Sequence, residues 1–473
     1  MREGTAVATR TEHPAEKLDR VVIRFAGDSG DGMQLAGDRF TETSALFGND
    51  LSTFPDFPAE IRAPAGTLAG VSAFQVHISD HDILTPGDAP NVLVAMNPAA
   101  LRTNVGMLSK GATVMVNVDA FDERNLHKAG YDTNPLTDGS LGGFTVYEVP
   151  MTSITKEVCK EAGVKPRDAE RSKNFFALGL VSWLYTRPLE PTVEWIAKRF
   201  GDLPQVLEAN TRALRAGYDF GETAELFESS YEVRPAVFEK GEYTQVTGNK
   251  ALAWGLIAAA RLAGLPLFLG SYPITPASDI LHELSRRKEF GVRTFQAEDE
   301  IAGVGAALGA AFGGSLAVTA TSGPGMILKA ETVGLAVSVE LPLIICDIQR
   351  AGPSTGMPTK TEQADLLLAM FGRNGESPVP IVAPCSPSDC FAVAIEAARI
   401  AVKYRTPVIM LSDGYLANGS EPWRFPDVTT LPDLAGEFSF AKLNGGQENE
   451  PLEFEPFRRD PETLARPWAV PGT

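Results

Sequence analysis

Two α/β domains in succession are the fold that the sequence predicts, on three observations. Apolar runs of strand length alternate with helix-length amphipathic stretches in both halves of the chain. A charged, aperiodic stretch containing Glu222 to Thr247 interrupts that rhythm between them. The length of 473 residues also exceeds what one hydrophobic core normally serves.

The elements follow in order. Residues 1–18 are polar and read as a disordered lead-in, with no secretory signal. Over 19–220, the strand Val21 to Ala26, the glycine-rich turn Gly27 to Gly32 and the helix Met33 to Leu46 open an α/β domain. Strands at Phe74 to Ile78, Asn91 to Met96, Thr113 to Val118 and Phe144 to Val149, then helices from Glu170 to Gly217, complete it around a mostly parallel sheet. Residues 221–247 read as a linker. Over 248–425, six strands alternate with helices: the strand to Gly270, then Val292 to Gln296, Leu316 to Thr321, Leu341 to Ile348, Pro380 to Val382, and Pro407 to Leu411. That count predicts a doubly wound sheet, whose ligands gather at the carboxyl ends of the strands. Residues 426–473, rich in proline and acids, read as irregular.

Composition excludes several classes. Sixty acidic against 42 basic residues leave a net charge of −18 with no basic cluster, which argues against nucleic-acid binding. Cys159, Cys346, Cys385 and Cys390 form no CxxC pair, so neither a metal site, a disulfide framework nor an iron–sulfur cluster is expected on this chain, and a cytoplasmic setting is. The uncharged run Ile301 to Leu328 is long enough to cross a bilayer. Gly313-Gly314 and the turn Thr321 to Gly325 instead divide it into helix, strand and loop, so no membrane span is expected.

Five short stretches at predicted strand ends are candidate sites. GDSGDG (27–32) can be an anion-binding β–α turn, but Asp28 and Asp31 would repel a phosphate, and a ligand-free turn is an equal reading. No asparagine stands at the spacing that a diphosphate–magnesium site needs after Gly30-Asp31-Gly32. In QAEDEIAG, Glu298, Asp299 and Glu300 can simply complement a helix dipole, yet a carboxylate entering so apolar a segment can be a working acid or base. TSGPG (321–325) reads as a structural turn. In QRAGPSTGMPTKTEQADL (349–366), Arg350 at a strand end can clamp a carboxylate, with Ser354 and Thr355 adding hydroxyls. YPITP (272–276) sets two prolines around Thr275, stopping a strand and presenting one hydroxyl.

In this order within one α/β domain, YPITP, AEDEIAG, TSGPG and QRAGPSTGMPTKTEQADL resemble the alpha subunit of the 2-oxoacid:ferredoxin oxidoreductases, the 2-oxoglutarate enzymes most closely, over about residues 248–420. The first half resembles the family's gamma domain through the 27–32 loop, EIRAPAG (60–66) and SDHDIL (79–84), a fused gamma-alpha arrangement. The resemblance implies oxidative decarboxylation of 2-oxoglutarate on thiamine diphosphate, with coenzyme A taking the succinyl group and ferredoxin the electrons, a step of the tricarboxylic acid cycle. It implies a separate beta subunit holding the diphosphate, its Mg2+ and the iron–sulfur cluster, in an alpha2beta2 assembly. Glu300 then matches the glutamate that hydrogen-bonds N1′ of the aminopyrimidine, with Glu298 in reserve; Tyr272 matches a cofactor contact. Arg350 matches the substrate-carboxylate arginine, and Thr275, Ser354 and Thr355 line the substrate pocket. Pyruvate or another 2-oxoacid as substrate, or a noncatalytic assembly role, are the alternatives; a nicotinamide dehydrogenase is disfavoured by the lack of GxGxxG. Family alpha chains commonly carry a further α/β domain, which is expected to be absent here because the sequence is shortened or cut at Thr473.

Overall fold

The computed structural model describes residues 15–60, 63–224, 226–227, 229–354, 356–440, 454–462 and 464–473. The chain divides into two compact units, Met1–Glu239 and Lys240–Thr473.

In the first unit the strands are β1 (Ala15–Leu18), β2 (Arg20–Asp28), β3 (Asp50–Asp56), β4 (Val71–Ser79), β5 (Val92–Ala95), β6 (Thr113–Asn117), β7 (Thr145–Val149) and β8 (Ser230–Val233). Its helices are α1 (Met33–Phe47), α2 (Pro98–Asn104), α3 (Glu123–Lys128), α4 (Met151–Lys160), α5 (Pro166–Glu170), α6 (Lys173–Leu184), α7 (Glu190–Phe200) and α8 (Pro204–Thr223). The six-stranded sheet runs β3-β4-β2-β5-β6-β7. Val21, Ile23 and Phe25 of β2 enter one core with α1 and α6, while Ala26 enters a second core on the opposite face, as the two-residue period of a strand requires.

Three expectations change here. The sheet is mixed: β2, β5, β6 and β7 are parallel, but β4 runs antiparallel to both β2 and β3. Strand β3, which carries a proline and ends on the charged Asp56, has no apolar alternation to announce it. Ala15–Leu18 of the expected lead-in pairs parallel with β8, which lies in the expected linker; residues 1–14 fall outside the described residues. Neither Ala15–Leu18 nor Ser230–Val233 carries an apolar run to reveal it, and the two find each other across more than 200 residues.

In the second unit the strands are β9 (Tyr243–Thr247), β10 (Leu267–Ser271), β11 (Arg293–Gln296), β12 (Leu316–Thr321), β13 (Leu343–Gln349), β14 (Ile381–Val382), β15 (Pro407–Asp413) and β16 (Ser420–Arg424). The helices are α9 (Gly248–Ala263), α10 (Ser278–Ser285), α11 (Glu300–Phe312), α12 (Gly323–Ser338), α13 (Leu366–Phe371), α14 (Asp389–Tyr404) and α15 (Gly414–Asn418). All six predicted strands form one parallel sheet in the order β11-β10-β12-β13-β15-β14. The chain steps from β10 to β11 and returns to β12 on the other side of β10. Right-handed crossovers therefore send the helices after β10 and β12 to opposite faces, opening a crevice between those two strand ends. β9, at the far end of the expected linker, pairs antiparallel with β16 and sets Trp423 against Trp254 and Phe391. In the irregular C-terminal stretch, Trp468 is buried and donates its Nε1–H to the Ala311 carbonyl at 3.1 Å. No helix among the described residues is long and apolar enough to cross a membrane.

Candidate active site

The crevice is walled by the loops that follow β10 and β12. After Ser271 the YPITP loop turns away, and three of its backbone groups are held by neighbouring side chains. The Ser278 hydroxyl accepts from the Ile274 N–H at 2.9 Å, the Asn249 amide donates to the Pro276 carbonyl at 2.9 Å, and Arg350 Nη1 donates to the Thr275 carbonyl at 2.6 Å. The Thr275–Pro276 bond is cis. Across the crevice the Tyr272 hydroxyl meets Thr321 Oγ1 at 3.1 Å, tying the two walls together. Burial, with the Glu300 charge adding to it against the Thr321 hydrogen bond, pushes the Tyr272 phenol up to about 12, so it stays a neutral donor.

TSGPG is not a loop before the helix but its first turn. Ser322 stands at the N-cap and Pro324 within the first helical positions. Gly325 is required by space: a Cβ there would lie 2.1 Å from Tyr272 Oη and 2.3 Å from Thr321 Oγ1. Gly323 is equally confined, since its Cβ would lie 2.4 Å from Asp365 Oδ2.

The three acids of AEDEIAG separate. Glu298 is exposed; Asp299 caps α11 by accepting from the Ala302 N–H at 2.8 Å; Glu300, half-buried, opens the helix. Glu300 and Arg350 line one cavity of about 590 Å³ with Gly323, Pro324, Ser354 and Asp365. The Glu300 carboxylate makes no hydrogen bond among the described residues, whereas Arg350 is buried, with its Nε unpartnered and its pKa lowered by that burial.

Of the predicted site residues, then, Glu300, Arg350 and Ser354 share a cavity, and Tyr272 is buried against Thr321 without lining it. Thr275 is exposed, and its backbone oxygen rather than its hydroxyl meets Arg350. Thr355 lies outside the described residues, as do Ile61 and Arg62 of EIRAPAG. Helix α13 starts only at Leu366, because Gln363 donates to Asp413 Oδ2 at 2.8 Å and the Asp365 N–H to Gln349 Oε1 at 2.9 Å. These bonds hold residues 363–365 outside the helix, against the ends of β13 and β15.

Sequence reasoning missed the charges beneath the cavity. Lys329 is fully buried, donating from Nζ to the Glu300 carbonyl at 2.9 Å and to Thr319 Oγ1 at 3.0 Å. Burial lowers its pKa to about 8 against the pull of Glu300, Asp299 and Asp347. Asp347, fully buried on β13 with neither oxygen hydrogen-bonded among the described residues, has its pKa raised well above its ordinary value by burial and by Asp365. The signals existed: Lys329 shares the buried stripe of Met326, Val333 and Ala336, and Asp347 interrupts an apolar parallel strand.

Comparison with known proteins decides the family. Residues 22–220 match the family described as pyruvate ferredoxin/flavodoxin oxidoreductase, and residues 259–459 match its thiamine diphosphate-binding domain. The 2-oxoglutarate oxidoreductase subunit KorA of Mycobacterium tuberculosis is 61% identical over 97% of this chain and 69% of its own length. The chain belongs to the 2-oxoacid:ferredoxin oxidoreductases. Subunit alpha of the 2-oxoacid:ferredoxin oxidoreductase 1 of Aeropyrum pernix is 33% identical over 68% of this chain and 50% of its own length. The solved 2-oxoglutarate:ferredoxin oxidoreductase of Magnetococcus marinus, with 2-oxoglutarate, coenzyme A and succinyl-CoA bound, superposes with a TM-score of 0.78 at 31% identity. That match covers 96% of this chain and 72% of the other. An α/β domain followed by a thiamine diphosphate-binding α/β domain is thus the architecture of the family and of this chain.

Proposed function

We propose that the chain is the alpha-type subunit of a thiamine diphosphate-dependent oxidoreductase that decarboxylates 2-oxoglutarate oxidatively to succinyl-CoA and passes the electrons to ferredoxin. The observation that carries it is the convergence of Glu300 and Arg350 on one cavity at the carboxyl ends of a parallel sheet's strands. A carboxylate left without a partner beside apolar Pro324, Ile327 and Leu328 fits the N1′ edge of an aminopyrimidine. Thiamine diphosphate, when bound, supplies the carbon that attacks the 2-oxo group and the sink for the electrons left as CO2 departs. This chain's own share is to hold a proton at N1′ through Glu300 and to orient the substrate carboxylate through Arg350, with Ser354, Thr355 and Thr275 at the substrate side and Tyr272 behind the cofactor.

The diphosphate, its Mg2+ and the iron–sulfur cluster are assigned to a separate beta subunit, in an alpha2beta2 assembly. No group of three or more ligating side chains among the described residues could hold a metal ion. Ile301, Ile327 and Leu328, each more than half exposed on the first turns of α11 and α12, offer the apolar surface that such a partner would cover.

The test is co-purification with the beta partner and assay of coenzyme A-dependent dye reduction with 2-oxoglutarate and with pyruvate. Turnover with 2-oxoglutarate is expected, falling by about a hundredfold or more in kcat for Glu300→Gln. Turnover with pyruvate alone would reassign the substrate, and none with any 2-oxoacid would leave a noncatalytic assembly role.

A further inference from the structure

A buried ammonium is costly, and an apolar side chain would fill the α12 stripe at less expense to folding. Lys329 therefore needs a reason, and its contacts supply one. Two of its N–H groups go to the Glu300 carbonyl and the Thr319 hydroxyl, and the ammonium stands 5.2 Å from the centre of the Tyr272 ring. It thus joins three elements at one point: the first residue of α11, the middle of β12 and the residue that follows β10. The charges facing it are Asp299 and Glu300 from α11 and Asp347 from β13. The Glu300 carboxylate itself has no hydrogen-bond partner among the described residues; its backbone is what is held.

We propose that Lys329 is a positioning residue for Glu300, anchoring the first turn of α11 by its carbonyl so that the carboxylate stays directed into the cavity beside a fixed buried positive charge. The inference rests on the reading of Glu300 as the partner of the aminopyrimidine. Lys329→Met keeps the volume and apolar contacts of the side chain while removing the charge and both hydrogen bonds.

The experiment uses the assembled two-subunit enzyme, without 2-oxoacid. It measures the calorimetric Kd for thiamine diphosphate, the hydrogen–deuterium exchange rate at the thiazolium C2 of the bound cofactor, and Tm. For Lys329→Met, exchange about tenfold slower and a Kd raised several-fold are expected. Its Tm should change little, because relief of the buried ammonium offsets the two lost hydrogen bonds and the lost attraction to Asp347. A slower rate in a protein of undiminished Tm is a result that a merely structural lysine would not give. Glu300→Gln is the reference, expected to slow exchange about a hundredfold or more. Unchanged exchange in Glu300→Gln would overturn the reading of the site itself. Slow exchange in Glu300→Gln beside an unaltered Lys329→Met would overturn only the role of the lysine. If Lys329→Met fails to assemble, Thr319→Val, which removes one of the two hydrogen bonds, decides: exchange about two- to threefold slower supports the role, and an unchanged rate refutes it.

Discussion

At the carboxyl edge of the first unit's sheet, each carboxylate is spoken for within the fold. Asp28 accepts from the Gly66 N–H with both oxygens at 3.0 Å, and Asp31 accepts from the Asp28 N–H at 2.9 Å and pairs with Lys173 at 2.9 Å. Asp119 takes both the N–H and the hydroxyl of Ser153 at 2.7 Å. The same edge of the second unit is arranged otherwise. Among the described residues the Asp347 carboxyl has no hydrogen bond, one Asp365 oxygen and the Arg350 Nε are buried and unpartnered, and Glu300 lines a cavity. Similar residue types at similar places in two α/β sheets therefore do different work. Carboxylates turned inward hold a loop together, and carboxylates left unsatisfied retain the capacity to bind or to titrate.

That contrast explains why GDSGDG carries no sign of an anion site. Its two aspartates point their oxygens at the backbone N–H groups and the lysine that shape the turn, occupying the donors a phosphate would need.

Three substitutions test the comparison. Arg350→Ala in the assembled enzyme is expected to raise KM for the 2-oxoacid by about 10- to 100-fold with a smaller effect on kcat, since it removes a charge-assisted clamp. Steady-state kinetics with an unchanged KM would move the carboxylate site elsewhere.

Asp347→Asn addresses the buried charges through pH. Because the Asp347 pKa is raised in the folded chain, the folded state keeps a proton that the unfolded chain releases near pH 4; stability is complete below that pH and declines as pH rises towards the folded value. Lys329 acts in the opposite sense. Its pKa is lowered to about 8, so the unfolded state binds more protons between there and its ordinary 10.5, and stability recovers across that window. Asp347→Asn should flatten the decline above pH 4 and stabilise the chain at pH 7 by about 1–2 kcal/mol. Tm measured from pH 4 to pH 10 gives the answer, and a profile parallel to the unmodified chain would count against an unsatisfied Asp347.

The smallest effect is expected in the first unit. Asp31→Ala loses one backbone hydrogen bond and a half-buried ion pair, about 1 kcal/mol by denaturant titration. A loss several times larger would mean that this edge, too, carries strain or an uncompensated charge.

The second unit was more legible than the first for a physical reason. A parallel sheet buried on both faces demands apolar strands separated by helices, so the inner strands β10, β12, β13 and β15 announce themselves by their own runs, and the short edge strands β11 and β14 by their place between helices. The first unit adds an antiparallel edge, and β3 reads as a polar loop because its pairing partner, not its own pattern, makes it a strand. The site divides in the same way. Glu300 and Arg350 stand out by chemistry at strand ends, while Lys329 and Asp347 sit within apolar elements where a lone charge looks incidental.

From sequence alone came the α/β class, the six parallel strands of the second unit and the residues at their carboxyl ends, because these depend on local period and on motifs contiguous in the chain. Only the tertiary structure decided that Arg350 holds the Thr275 backbone rather than its hydroxyl, that Asp299 is a cap while the Glu300 carboxylate has no hydrogen bond among the described residues, and that a lysine 29 residues further along the chain reaches the Glu300 carbonyl. Those outcomes turn on which groups are left hydrogen-bonded once separate strands are brought side by side, and hydrogen-bond satisfaction is a property of three-dimensional neighbours.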